Sequence, residues 1–516
     1  MHSRMKNIHV PKVNFADDEQ YLHFPHAPFV SYSSTIFFDK WIAVALITGI
    51  AFRIFRLGDA PFWLDETFTV SWIKLPWTEM LYAAFADNHL PLYFVLLKAW
   101  SAIAGISPFA LRLPNVLLSA LMIPLVAAIA WTIKDRISAR WAAWLAALSP
   151  YFLQHAQEAR MYPLLGLLAA AGILLLLRFI TKETKQLNTW FFALNVAILL
   201  THYYGIFFVG AEFLVLLVSA AKRWRDWLPL MGLSLLFVMA PMMSAKYLAT
   251  PHAGSTYGVG LIALPGLIWS LISGYTLLPT SMQLHDNGLR AALPYLPVAI
   301  AAAAALTVIA INAYRSLTKA SISALAGITG TVIFAPFIVG LFFDVGINPR
   351  YAIACTPAIL AFIAAGCPNS PGQYSRELSA ITLLAILTTA SMLHLNNPSH
   401  GREDINAIGE WLDRNVPKEE EILITSSEMA ALADFHWPDR RFITYPARKI
   451  VVNNANAGRI ASELPINHGQ RTIYIFGRTW VSDPDNALRN ALKARYRECN
   501  GTAAQGVTVL CFIKPR

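Results

Sequence analysis

Two adjacent carboxylates, Asp65 and Glu66, stand in the stretch Ala60-Pro61-Phe62-Trp63-Leu64-Asp65-Glu66-Thr67. Only 14% of the 516 residues are charged, so a pair of acids just beyond a long apolar run needs a chemical or structural reason. A carboxylate held ionised among cationic and hydrogen-bonding neighbours can take a proton from an attacking hydroxyl. Arginine offers the complementary half of such chemistry. Its planar fork matches phosphate oxygens, which suits Arg160 and Arg350 to clamp a phosphate leaving group. Phosphate departs as a stable anion and needs no general acid. One base and one phosphate clamp support a displacement at a sugar carbon in a single step, with inversion.

His89, Gln157, Glu158, Tyr162, His202 and Tyr351 are the further candidates for contacts to a donor phosphate or sugar. Each member of the set also has a plainer role open to it. Asp65 and Glu66 can be acids of a helix first turn, and His89-Leu90-Pro91 can be a helix start with Pro in its first turn. Arg160 and Arg350 can snorkel to a headgroup region, Tyr162 can belong to an aromatic belt, and His202 can be a satisfied interfacial group. What favours chemistry is their joint occurrence on one side of the membrane, and that depends on the elements that carry them.

Those elements are expected to be membrane helices. Hydrophobic residues make up 56% of the chain, mean hydropathy is +0.47, and apolar runs of about 15 to 22 residues recur as far as position 396. Such runs exclude a β-barrel and a soluble globule. The net charge of +10 is accounted for by Lys and Arg in cytoplasmic loops, so no nucleic-acid partner is expected. Residues 1–35 lack a cleavable leader pattern and read as a cytoplasmic N-terminal segment. Arg53 and Arg56 close the first apolar segment, where they can snorkel.

The basic clusters at Lys134–Arg140, Arg178–Lys185, Lys222–Arg225, Arg315–Lys319 and Arg376 set the topology when all lie in the cytoplasm. The crossings then fall at 35–55, 112–132, 141–156, 162–180, 189–202, 203–221, 227–245, 292–312, 322–344, 351–367 and 378–396, about eleven in all. Parity leaves Pro91–Ile106 along the outer interface, within a first outer loop spanning 57–111, and Gly258–Leu278 as a second interfacial or re-entrant piece. Asp65, Glu66, Asn88, His89, the run 157–162, His202, Lys246, His252, Arg350 and Tyr351 all reach the outer level. Acids, histidines, tyrosines and single arginines at one level describe a cleft for a charged, hydroxyl-rich substrate reached from the bilayer. From about Ser399 the pattern changes to strands at 421–425, 472–476 and 507–513 with helices at 402–414, 428–434 and 485–497. The expected architecture is therefore an all-α polytopic membrane domain, 36–398, followed by a small C-terminal α/β domain, 399–516. The latter reads as an accessory or acceptor-positioning domain, in which Cys499 and Cys511 can pair if it faces an oxidising compartment.

The ordered set Phe62-Trp63-Leu64-Asp65-Glu66, His89-Leu90-Pro91-Leu92-Tyr93, Leu111-Arg112-Leu113-Pro114-Asn115, Gln157-Glu158-Ala159-Arg160-Met161-Tyr162 and Arg350-Tyr351 resembles the polytopic GT-C glycosyltransferases. The branch it is most similar to holds the protein O-mannosyltransferases, the lipid A aminoarabinose transferase and the rhizobial lipopolysaccharide galacturonosyltransferases. The resemblance covers about residues 36–370. It implies a polyprenyl-phosphate-linked sugar donor, a hydroxyl acceptor on a glycan, lipid or protein of the cell envelope, and transfer on the periplasmic or luminal side, with a bacterial inner or plasma membrane as the expected location. It also implies an acid of the first outer loop as base, with Asp65 in that role and Glu66 orienting the acceptor or the loop. Interfacial helices in that loop are a family feature as well. The mid-chain repeat domains of eukaryotic protein mannosyltransferases have no counterpart here.

No cofactor is expected. Asp65, Glu66 and His89 are the residues that can hold a hard divalent cation, but no complete ligand set is spelled out. The rival class is a transporter or flippase of lipid-linked saccharides, which also needs many helices and an Arg-lined cleft. A transporter would carry repeated halves and ionisable residues at mid-membrane depth, whereas Glu212 and Lys98 are among the few charges inside apolar runs here.

Overall fold

The computed structural model describes residues 39–513 apart from Asn88, 182–185, 249–262, Leu341, 343–347, 398–401, 447–451, 465–470, 480–482 and Pro484. The expected N-terminal segment 1–35, the Lys246 side chain and His252 lie outside the described residues. Helix α1 (Lys40–Ile54) leads into three short helices, α2 (Leu64–Lys74), α3 (Trp77–Ala86) and α4 (Leu92–Ala104). At 1.5 Å per residue α4 is about 20 Å long, too short for a hydrocarbon core of about 30 Å. Lys98 on α4 donates to Ile73 O (2.7 Å) and Leu75 O (2.6 Å). Its ammonium thereby closes the C-terminal end of α2, where carbonyls lack helical partners.

Helix α5 (Pro108–Ile133) is the first long one. Ser107 caps it by accepting from Ala110 N (3.2 Å), and Pro108 takes the first helical position, where a missing N–H costs nothing. Each of the other expected crossings carries helix, but two are broken where the sequence places Pro. Residues 141–156 divide into α6 (Arg136–Ala147) and α7 (Pro150–Ala156), because Pro150 disfavours helical backbone at Ser149, and Ser149 instead caps α7. Segment 351–367 begins as a 3-10 turn, Pro349–Ala354, before the helix Thr356–Gly366. Arg350 and Tyr351 thus sit on a tight turn and not at the head of a long helix. The helix axis turns by 105° at the 3-10 turn Ala221–Arg223, between Gly205–Ser219 and the following helix. Among the described residues five helices are individually long and apolar enough to cross a membrane, or six if that bent pair is one span.

The C-terminal domain is built on a six-stranded mixed sheet. Strand β1 (Glu421–Ile424) pairs in parallel with β2 (Arg441–Thr444) and β3 (Arg471–Gly477), and β3 pairs antiparallel with β6 (Val507–Ile513). β4 (Arg497–Glu498) and β5 (Thr502–Ala504) both lie on β6. Alternation along the strands gives two cores. Ile422, Ile424, Ile473 and Ile475 face one, while Leu423, Tyr474 and Phe476 face the other. Sequence patterning misses β2, β4, β5 and the helix Ala457–Ser462, since these elements are short and β2 offers only Phe442 and Ile443 as an apolar pair. Cys499 and Cys511 are disulfide-bonded.

Arg53 is a correction. It is fully buried and donates to Ser119 Oγ (2.8 Å), Gly49 O, Ala146 O and Ala147 O, so it does not snorkel. The break after α6 exposes carbonyls at a helix C-terminus, and a guanidinium satisfies them. Arg56 pairs at the surface with Asp59 (2.7 Å).

Candidate active site

The loop carrying the two acids is locked from behind. Glu66 is fully buried, and Arg112 of α5 grips it with two bonds, Nε to Oε1 (2.9 Å) and Nη2 to Oε2 (2.7 Å). The remaining guanidinium capacity goes to Leu57 O, Ala60 O and Pro61 O. Ala159 N also donates to Glu66 Oε1 (2.7 Å), which ties the distant loop 157–161 to the same carboxylate. Asn115, one turn along α5, donates to Glu158 O and to Arg160 O (2.7 Å). Glu66 is therefore closed to any substrate. Of the two roles expected for it, only orienting the loop fits this geometry.

Asp65 points the other way. Its side chain is 17% exposed and meets Arg350 Nη1 at 2.5 Å. Burial pushes its carboxyl up, but the guanidinium charges of Arg350, Arg160 and Arg478 outweigh burial and bring it down to about 2. Arg160 donates to Asp65 O (3.0 Å) and Thr69 Oγ1 (3.1 Å), and its Nη2 meets His89 Nε2 at 2.8 Å. Since arginine can only donate, His89 Nε2 is an acceptor there, and its Nδ1–H is left to donate to Asp87 O (2.7 Å). Asp65, Glu66 and His89 consequently face three different partners and do not converge as ligands. Among the described residues no group of three or more His, Cys, Asp or Glu is placed to hold a metal ion.

Arg350 lies between two rings, its guanidinium carbon 5.6 Å from the centroids of Trp63 and Tyr162. Beyond it Tyr351, Tyr204 and His202 form an aromatic wall, with Tyr204 and Tyr351 4.3 Å apart and His202 and Tyr351 4.9 Å apart. Tyr162 approaches His202 at 6.0 Å. His202 Nδ1 accepts a hydrogen bond from Tyr204 N (3.0 Å). The Nε atoms of Arg160 and Arg350 are buried without a hydrogen-bond partner. Two unsatisfied cationic donors in one side-chain cluster are costly unless an anionic group completes them.

Two expected donor contacts are placed elsewhere. Gln157 is buried and donates to Arg53 O (3.2 Å) and Phe55 O (2.8 Å), while its Oε1 accepts from His394 Nε2 (3.1 Å). It joins α1 to the last membrane helix, Tyr374–Asn396. Glu158 is buried between His155 (3.3 Å) and Arg402 of the C-terminal domain (2.6 Å), and burial, which raises its carboxyl, is outweighed by those neighbours so that it stays well below the usual range. Sequence reasoning gives Arg112 no role beyond its place in the motif Leu111–Asn115, and it misses Thr69, Arg402 and Arg478 as parts of this region. For Arg112 a signal existed, since an arginine near the start of an otherwise apolar helix calls for a buried partner.

No family model and no curated protein matches the sequence. Solved structures do. The apo structure of ArnT from Cupriavidus metallidurans aligns with a TM-score of 0.50 at 12% identity, over 93% of this chain and 98% of that one. The Archaeoglobus fulgidus oligosaccharyltransferase tethered with an acceptor peptide aligns with a TM-score of 0.52 at 12% identity, over 92% and 74%. The fold is that of the GT-C glycosyltransferases. The five apolar helices long enough to cross a membrane among the described residues make the chain an integral membrane protein. The likeness spans both domains, including the sheet domain that follows the last membrane helix.

Proposed function

We propose that this GT-C chain is an inverting glycosyltransferase that moves a sugar from a polyprenyl-phosphate donor to a hydroxyl of a cell-envelope glycan, lipid or protein. The observation that carries the reading is one cluster in which an ionised, partly exposed Asp65 stands beside two arginines whose Nε–H groups lack acceptors. Asp65 Oδ accepts the proton of the acceptor hydroxyl. The hydroxyl oxygen attacks the anomeric carbon, and the bond from that carbon to the phosphate oxygen breaks on the opposite face. The electron pair leaves on phosphate, where Arg350 and Arg160 neutralise it.

Arg350 has a double task in this scheme. Paired to Asp65, it makes the carboxylate too weak a base for a hydroxyl. A phosphate competes for the same guanidinium, so donor binding loosens the pair and raises the basicity of Asp65 when the donor is present. Tyr162, Tyr351 and His202 give a ring-lined wall for the sugar, and His89 holds the Arg160 fork in place. Gln157, Glu158 and Glu66 support these groups from behind. Membrane lipids surround the helices, the reacting face is extracytoplasmic, and no metal ion enters the proposed steps.

The test is mass spectrometry of surface glycans and lipids from cells with and without the gene product, followed by transfer from the identified polyprenyl-phosphate sugar by purified protein. A sugar missing from one acceptor, and restored in vitro, is the expected result. Movement of a lipid-linked saccharide across vesicles without transfer would replace this reading with that of a flippase.

A further inference from the structure

Three consecutive residues just before Asp65 are held by the C-terminal domain, each through a different contact. Phe62 O accepts a hydrogen bond from His436 Nε2 (2.7 Å), and the Phe62 ring meets Phe435 edge-on at 6.1 Å. Arg402 stands over the Trp63 ring, 5.4 Å from its centroid. Leu64 is 1% exposed and belongs to the domain's own hydrophobic core, with Ile408, Leu412, Ile424 and Leu432. From the next residue the partners change. Asp65 turns to Arg350, and Glu66 to Arg112, both in the membrane half. Phe62 and Trp63 also touch the membrane half, their rings lying 5.5 Å from the Arg112 guanidinium and 5.6 Å from that of Arg350, so this stretch is the joint at which the two halves meet.

We infer that the C-terminal domain is the clamp that sets the position of Asp65, with His436 and Leu64 as its positioning residues. Helix α2 begins at this point, and its first turn hangs on the clamp because Glu66 N and Thr67 N both donate to Trp63 O (2.9 and 3.0 Å). If the domain shifts against the membrane half, it pulls on Phe62 O and on the Leu64 side chain, and through them on the first turn of α2, while Arg350 stays. The Asp65–Arg350 pair then misaligns. A bridge already crosses the joint a few ångströms away, from Arg402 to Glu158 (2.6 Å), and it fixes the loop that carries Arg160 to the same domain. The base and Arg160 are thus both tied to the domain, whereas Arg350 is held by the membrane half. This assigns the domain more than an accessory part: acceptor binding on it would act directly on the geometry of the base.

The catalytic half of this inference rests on the glycosyltransferase reading, whereas the clamp itself does not, and the experiment separates them. Hydrogen exchange is measured on the full-length protein in detergent for wild type, His436→Ala, His436→Gln and Leu64→Ala. Glutamine keeps an amide N–H at roughly the reach of the imidazole Nε2. The expected result is exchange roughly tenfold faster at the first turn of α2 in His436→Ala and Leu64→Ala, with wild-type rates in His436→Gln and unchanged protection of β1 and β3 in all three. Transfer by His436→Ala should fall in kcat by up to on the order of 10²-fold, as for a small misplacement of a reacting group, with donor KM unchanged and glutamine restoring the rate. Unchanged exchange in His436→Ala overturns the clamp whatever the activity shows. Loss of protection throughout the sheet in every variant overturns it too, because the residues would then support only the domain. Faster exchange with no transfer activity in the wild type would leave the clamp standing and remove the glycosyltransferase reading.

Discussion

Glu66 and Asp65 are neighbours in the chain and opposites in the structure. Around Glu66 each oxygen is met, by two guanidinium nitrogens and a backbone amide, and no part of it reaches solvent. Around Asp65 more than one guanidinium faces a single carboxylate, a sixth of the side chain is open, and two buried Nε–H groups have nowhere to donate. A saturated polar network specifies one backbone arrangement, because every alternative leaves a charge unpaired in low dielectric. An unsaturated one stores demand for a missing partner. The first is scaffold, the second a place for a substrate.

The sharpest way to break this contrast is to neutralise each acid in turn. Asp65→Asn keeps the shape and removes the base, so transfer is expected to fall by about 10²–10⁴-fold while the protein still accumulates in the membrane. Full activity would sink the assignment. Arg112→Ala strikes the saturated side and leaves Glu66 buried without its partner, a loss of about 3–5 kcal/mol. The expected outcome there is reduced yield and a lower unfolding temperature, measured in detergent. If Arg112→Ala lost activity at wild-type stability, Glu66 would belong to the reaction and the contrast would be false.

Arg160→Ala should raise the KM for the lipid donor by roughly 10-fold and leave that for the acceptor nearly unchanged, as for loss of one charge-assisted contact of about 1.5 kcal/mol. Equal changes in both would mark Arg160 as structural. This variant sharpens the comparison, because Arg160 belongs to both regions: its carbonyl accepts from Asn115 in the packed loop, and its Nε is one of the unfilled donors.

Much of this site was legible in the sequence, and the limits follow from what sequence patterns encode. Asp65, Arg160 and Arg350 stood out because charges are scarce at membrane level and the topology placed them on one side. The fold class followed from apolar runs and the change of pattern after Ser399. What patterns do not encode is which way a polar side chain faces at a helix end. Gln157 and Glu158 share a level with Arg160 yet turn into the packing between helices and domain. Arg53 at the end of an apolar run suggests a side chain reaching outward, and only the break after Ala147 provides the carbonyls that draw it in. The partnership of Arg402 with Glu158 joins positions 244 residues apart, across a domain boundary, and no local spacing announces it.

Acid pH offers a smaller but cleaner measure of Asp65. Its folded value of about 2 lies below the ordinary 3.8, so the ionised form is favoured by folding. The stabilisation, about 2 kcal/mol, is complete above the unfolded value and is lost as pH falls through the folded one. Glu158 behaves in the same direction, so the useful quantity is the difference between wild type and Asp65→Asn over pH 5 to 2. Wild type should lose about 2 kcal/mol more than the variant. Equal losses would mean that Arg350 does not hold Asp65 in solution.

The smallest effect is expected at an ion pair that resembles the others only on paper. Arg414 and Glu410 sit one turn apart on the helix Ile405–Asn415 at 2.8 Å, with 74% and 67% of their side chains exposed. Water screens both charges before and after folding, so Glu410→Gln should change stability by no more than about 0.5 kcal/mol and leave transfer untouched. The pair has nearly the same nitrogen-to-oxygen distance as Arg112 and Glu66, which makes burial the variable under test. A loss at Glu410 comparable to that at Arg112 would show that distance alone governs these pairs. The contrast between the two neighbouring acids would then have to be rebuilt on something other than solvent access.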